Sequence, residues 1–244
     1  MLILALDTST SVLSVALLGE HEPPSAPRAA RAVHEGNRPA ELLAPTIKAV
    51  LADAGVGPAD LTAVAAGVGP GPFTGLRAGL VTARALAHVV GVRVHGVCGL
   101  DALAAEAVAA GAPEDLLVAT DARRREVYWA RYRGGRRLGD PQVSDPALLA
   151  GAAVEHGLPV VGGGAALYAD RLRTLGATVL LEVGASGAAD GSEGLLPVAP
   201  AAAWVASLAR DGLAGSGPQP LPPEPLYLRR PDVQEPGSPK RVGG

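Results

Sequence analysis

Sulfur, aromatic rings and lysine are all scarce in this sequence. Cys98 is the only cysteine among 244 residues, so an intramolecular disulfide and a cysteine-built metal centre are both excluded. A reducing compartment suits such a chain, and a cytoplasmic location is the expectation. One Phe, two Trp and four Tyr leave Ala, Val and Leu to build the core. Lys48 and Lys240 are the only lysines; the remaining positive charge is arginine, a bias that matches GC-rich coding. His21, His34, His88, His95 and His156 are scattered, with no pair four apart on a helix, so a zinc site of the H-x-x-x-H type is excluded and no metal is expected. There is no G-x-S-x-G elbow, and Cys98 has no evident base beside it, so no catalytic set emerges. Long apolar runs are missing too. The best, around residues 78–92, is broken by Arg84, so no membrane span is expected. The opening Met1–Leu6 run stops at Asp7 without a basic leader, which argues against a signal peptide. A net charge of −3 gives no global pull towards nucleic acid.

What is present reads as alternating strands and helices. Residues 2–7 and 12–18 are apolar runs separated by Thr8-Ser9-Thr10-Ser11, which predicts a strand, a turn and an antiparallel strand. Arg28–Glu35 reads as a third strand. A helix opens at Pro39 and ends at Gly55, with Leu43, Ile47, Val50 and Leu51 at helical spacing. Strands follow at 61–67 and 92–97, flanking a helix from Gly75 to about Val90 with Thr74 as its cap. The second half repeats the style, with a helix at 100–110, strands at 116–120, 126–133 and 158–161, one helix at 165–175 and a late helix at 199–211. The expectation is an α/β protein of two related lobes, each a mixed sheet flanked by helices. Residues 1–100 form the first lobe, with the late helix packing back on it, and 101–198 form the second. Residues 212–244 form a Pro/Gly-rich tail, extended or disordered.

Several strings have chemical character. Asp7, Thr8 and Thr10 sit where a strand turns into a hairpin, a place that can hold a hydrated cation and a phosphate. No glycine lies in that bend, so a local Asp/Thr turn is the other reading. Residues 67–77 form a Gly-rich loop before a helix, a setting that binds anions, but Pro70 and Pro72 remove two amide donors and neither a P-loop nor G-x-G-x-x-G is matched. Residues 121–137 carry seven arginines with Tyr128, Trp129 and Tyr132 interleaved. That pattern reads either as an RNA-contacting hairpin or as a solvated charged face. Gly162-Gly163-Gly164 after a strand lets a backbone or a nucleotide base approach closely.

Taken together the strings resemble one family. Ile3-Leu4-Ala5-Leu6-Asp7-Thr8-Ser9-Thr10 looks like the opening of TsaB proteins. Gly69-Pro70-Gly71-Pro72-Phe73-Thr74-Gly75-Leu76-Arg77 is similar to their G-P-G-S-F-T-G-L-R signature, with Pro72 in place of Ser. Asp121, Arg123, Glu126 and Tyr128 match a D-A-R-x-x-E-V-Y segment, Val161–Ala165 a V-G-x-G-A turn, and Pro225–Arg229 a late P-x-Y-L-R. Pro39 departs from the His of many relatives. The resemblance implies an actin-like, two-lobed ASKHA fold and a non-catalytic subunit that binds and activates TsaD in the synthesis of threonylcarbamoyladenosine beside the anticodon of transfer RNA. It further implies TsaE as a third component, homodimers of the isolated subunit, contact with transfer RNA through the complex, and no firm cofactor, with weak nucleotide binding only at the level of the complex. The family's dimerisation helices would be residues 39–54 and 74–90, with Leu43, Ile47, Leu76, Leu80 and Ala83 as candidate interface residues or else core. The alternatives are an ATP-dependent small-molecule kinase or other nucleotide-using enzyme of the same fold, a metal-dependent peptidase, and an RNA-binding module.

Overall fold

The structure, a computed structural model, describes residues 1–34, 39–183, 194–195, 197 and 199–229. Its first lobe is built on a five-stranded sheet of order β3-β2-β1-β4-β5. The strands are β1 (Leu2–Asp7), β2 (Val12–Gly19), β3 (Ala29–His34), β4 (Ala63–Gly67) and β5 (Val94–Val97). β1 to β3 form an antiparallel meander, and β4 and β5 run parallel to β1. β1 and β2 are covered on both faces, which explains their unbroken apolar sequence. Leu4, Leu6 and Val15 face the helices α1 (Pro39–Asp53) and α2 (Phe73–Val90). Ile3, Ala5 and Ala16 face the late helix (Ala202–Leu213), which packs on β1, β2 and β4.

The second lobe repeats this plan with a four-stranded sheet of order β8-β7-β6-β9. Its strands are β6 (Leu116–Asp121), β7 (Val127–Arg133), β8 (Arg136–Ser144) and β9 (Val160–Val161). Again a meander is followed by a helix, α4 (Pro146–His156), and a strand parallel to the first of the set. α3 (Gly99–Ala109) lies in the joint. It packs against the late helix on one side and against β6 and β7 on the other. A two-stranded antiparallel pair, β10 (Glu182–Val183) with β11 (Gly194–Leu195), precedes the late helix, α7.

Local structure departs from the sequence reading at α4, at the helix expected over 165–175 and at the start of α2. α4 is absent from the expected elements, although Asp145 caps it by accepting from the Ala147 amide at 2.8 Å, Pro146 opens it and Gly157 closes it with φ +63°. The helix expected over 165–175 is two short ones, α5 (Gly163–Leu167) and α6 (Ala169–Thr174). The break at Tyr168 lets α5 stay on β6 while α6 packs on α4. Thr74 does not cap α2; the helix begins at Phe73, two residues earlier, with the extended Pro72 at the cap position. Residues 214–229, within the expected extended or disordered tail, are held against the first lobe. Leu221 exchanges backbone hydrogen bonds with Gly96, and the Leu226 amide donates to the Val68 carbonyl at 2.8 Å. Residues 230–244 lie outside the described residues.

Candidate functional site

The site is assembled where β1 ends, against the loop that leads into α2. Asp7 is fully buried. Its Oδ1 accepts from the Ser9 amide at 2.8 Å and from the Ser9 hydroxyl at 2.7 Å, while Oδ2 is buried without a hydrogen-bond partner. Burial pushes its carboxyl up to about 6, against the opposing effect of the two Ser9 bonds. The bend is thus a self-bonded Asp turn. Thr10 closes it by bonding Val12, and Thr8 Oγ1 donates to the Gly75 carbonyl at 2.8 Å.

The glycines of the second motif receive this bend. A methyl group at Gly67 would overlap the Asp7 carboxylate, one at Gly71 the Ser9 backbone and one at Gly79 the Thr8 hydroxyl. At Gly75 it would stand 2.5 Å from the Thr8 carbonyl. These positions therefore let the loop and the first turns of α2 lie directly on the Asp7–Thr10 hairpin. Gly69 contributes a φ of +97°. The same logic holds in the second lobe, where methyls at Gly162 and Gly164 would strike the Ala119–Thr120 backbone. There the glycine triplet admits a neighbouring backbone.

Phe73 and Arg77 are brought to the late P-x-Y-L-R string. The Phe73 and Tyr227 rings stack at 4.4 Å, Arg77 lies over both, and its Nε donates to the Tyr227 hydroxyl at 2.9 Å. Glu126 pairs with Arg229. Asp121 and Arg123 line a cavity of about 280 Å³ between the lobes, opposite Thr10, Ser11 and Pro72. Thr120 also lines it, buried and with no partner for its hydroxyl; sequence reasoning missed it because a strand threonine carries no signal of its own. Tyr128 is buried, with its hydroxyl pushed upward by burial and by the Asp121 charge.

The structure bears on two readings that the sequence leaves open. The aromatic residues of the arginine-rich hairpin do not form a stacking surface. Tyr128, Trp129 and Tyr132 are buried because both faces of β7 are covered. The Trp129 indole bonds Ser144 and the Tyr132 hydroxyl donates to Asp101 at 2.7 Å. Secondly, Leu43, Ile47, Leu76, Leu80 and Ala83 are all buried within the chain. One of them, Ile47, also reaches the groove on the outward side of α1 and α2. Lys48, Leu51, Val81, Ala85 and Val89 line this apolar groove of about 780 Å³, with Val81 65% and Val89 83% exposed. Cys98 is buried and its thiol is pushed up to about 12, mainly by that burial, so it is a packing residue rather than a nucleophile. Among the described residues, no group of three or more His, Cys, Asp or Glu is placed to hold a metal.

The model of the TsaD family, tRNA N6-adenosine threonylcarbamoyltransferase, matches residues 27–163. The chain belongs to the TsaD family. It is 38% identical over 161 residues to an uncharacterised protein of Mycobacterium tuberculosis, spanning 63% of this chain and 73% of that one. It is 35% identical over 170 residues to an uncharacterised protein of Mycobacterium leprae, spanning 65% of this chain and 46% of that one. Among solved structures, an uncharacterised Pseudomonas aeruginosa protein with similarity to peptidase YeaZ superposes with a TM-score of 0.71 at 30% identity, over 93% of this chain and 99% of that one. YeaZ from Pseudomonas aeruginosa superposes with a TM-score of 0.69 at 28% identity over the same shares. The chain is thus a TsaB-like member of the TsaD family with the actin-like, two-lobed ASKHA fold. Membership ties it to transfer-RNA modification.

Proposed function

We propose that this chain is the non-catalytic partner subunit in threonylcarbamoyladenosine synthesis, and that it docks on TsaD through the outward side of α1 and α2. One observation carries the reading: Val81 and Val89 stand exposed along an apolar groove between two helices of a TsaD-family chain. Contiguous apolar surface of that kind marks an association face. In isolation the same face pairs two copies of the chain. Docking favours the active arrangement of TsaD, which requires tighter binding to that state than to the alternative. TsaE joins this pair, transfer RNA is reached through the assembly, and the assembly works in the cytoplasm. Any nucleotide contact arises at the level of the complex.

The state of Asp7 supports this reading over an ATP-dependent kinase of the same fold. Its carboxylate lies below the surface, bonded to its own turn and roofed by Gly67, whereas a phosphate-bound cation needs an open carboxylate oxygen. The test is reconstitution of transfer-RNA modification with cognate TsaD and TsaE. Modification is expected to collapse when this chain is omitted. Undiminished modification without it overturns the proposal, and saturable ATP turnover by the purified chain, abolished by Asp7→Ala, would establish the kinase instead.

A further inference from the structure

The last described segment, 218–229, ties together parts of the chain that are far apart in sequence. Its first half is added to the free edge of the first sheet. Gly96 and Leu221 exchange backbone hydrogen bonds of 2.9 and 2.8 Å. A methyl at Gly96 would stand 2.6 Å from the Pro222 carbonyl, so the edge is shaped to receive this segment. Arg84 of α2 donates to the Pro223 carbonyl at 2.5 Å. Leu221 and Leu226 pack against the apolar clusters of both lobes. Its second half then crosses the seam. Tyr227 stacks on Phe73, next to Pro72 on one wall of the interlobe cavity. Two residues later Arg229 pairs with Glu126, and its Nη1 donates to the Ala122 carbonyl at 3.4 Å. Ala122 sits between Asp121 and Arg123 on the opposite wall.

The hairpin tip that Arg229 grips has an unusual backbone. Arg123, Arg124 and Arg125 have φ of 61°, 52° and 62°, a conformation that side-chain-bearing residues rarely adopt and hold only where surrounding contacts fix it. Within the tip the Ala122 amide donates to the Glu126 carbonyl, the Glu126 amide to the Arg123 carbonyl, and the Arg123 amide to Asp121 Oδ1 at 2.8 Å. Arg229 adds contacts to both ends of that turn.

We propose that residues 218–229 are an interlobe strap, with Arg229 on Glu126 and Ala122 as its latch, and that the latch sets how far the Arg123–Arg125 tip closes over the cavity. The strap is held by backbone bonds on the first lobe and by Leu221 and Leu226 packed on both lobes, while Arg229 carries its contacts to the tip. Its release on the second-lobe side therefore frees the tip without detaching the segment from the sheet edge.

Amide hydrogen exchange of the intact chain tests this. Arg229→Ala and Glu126→Ala are each expected to speed exchange of the 120–127 peptide about two- to fivefold, as suits loss of one partly exposed ion pair. Peptides from β1 and β5 should be unchanged. The charge-exchanged double variant, Glu126→Arg with Arg229→Glu, should recover much of the protection. Either single variant leaving the tip at the parent rate overturns the latch. So does uniform acceleration across β1 and β5, which would make Arg229 a general stability contact; the two single variants approach that question from opposite lobes.

Discussion

At the scale of single residues, a buried and a half-buried carboxyl and several close-packed glycines set the stability of the fold. Asp7 is held up to about 6 and Glu106 up to about 7, burial being the main cause for each. Unfolded carboxyls release their protons near pH 4 to 4.5. Between those values and the folded ones, the native state holds more protons than the unfolded state. Stability from these groups is therefore fully present below the unfolded values and falls as pH rises towards 7. Denaturant midpoints should decline across that window, and Asp7→Asn with Glu106→Gln should flatten the decline. Gly67→Ala forces a methyl into the Asp7 carboxylate. It should cost about 1–3 kcal/mol in chemical unfolding, as overpacking generally does.

At the scale of elements, α2 has one side in the core and the other in solvent, and the two sides predict opposite behaviour. Ala83 is fully buried beneath the helix, so Ala83→Asp should lose the folded state outright, read by circular dichroism, because an unpaired charge is placed in an apolar core. Val89 is exposed. Val89→Asp should change stability by no more than about 0.5 kcal/mol yet abolish co-purification with TsaD. Normal TsaD binding by a folded Val89→Asp chain would remove the groove from the interface.

At the scale of the whole molecule, the lobes are joined through α3 and α7. Asp101 on α3 accepts from the Tyr132 hydroxyl at 2.7 Å and pairs with Arg137 Nε at 2.8 Å, both on the second lobe's sheet. The Ser14 hydroxyl of β2 donates to the Pro200 carbonyl ahead of α7, and Glu106 accepts from the Ala201 amide. Asp101→Ala leaves the Tyr132 hydroxyl buried without its acceptor. It should cost about 1–3 kcal/mol and lower the thermal midpoint of both lobes together. Separation into two transitions, with only the second lobe affected, would mean that α3 does not couple them.

Several features were legible because local chemistry alone dictates them. β1 and β2 are buried on both faces, so their apolar runs were continuous, and the Asp7, Gly69–Arg77 and Asp121–Tyr128 strings kept their order along the chain. α4 escaped notice because Leu148 and Val154 are exposed, so apolar side chains occur all round it and the helical period is blurred. The side of α2 that faces solvent was equally hidden, since Ala83 and Val81 carry the same polarity signal and only the sheet beneath distinguishes them. The sequence by itself determined the α/β class and the doubled plan, because strand, turn and helix preferences act over a few residues. Only tertiary structure decided that Tyr227 meets Phe73 and that Arg229 meets Glu126, because contacts across 100 residues or more depend on how two sheets and the helices between them are packed.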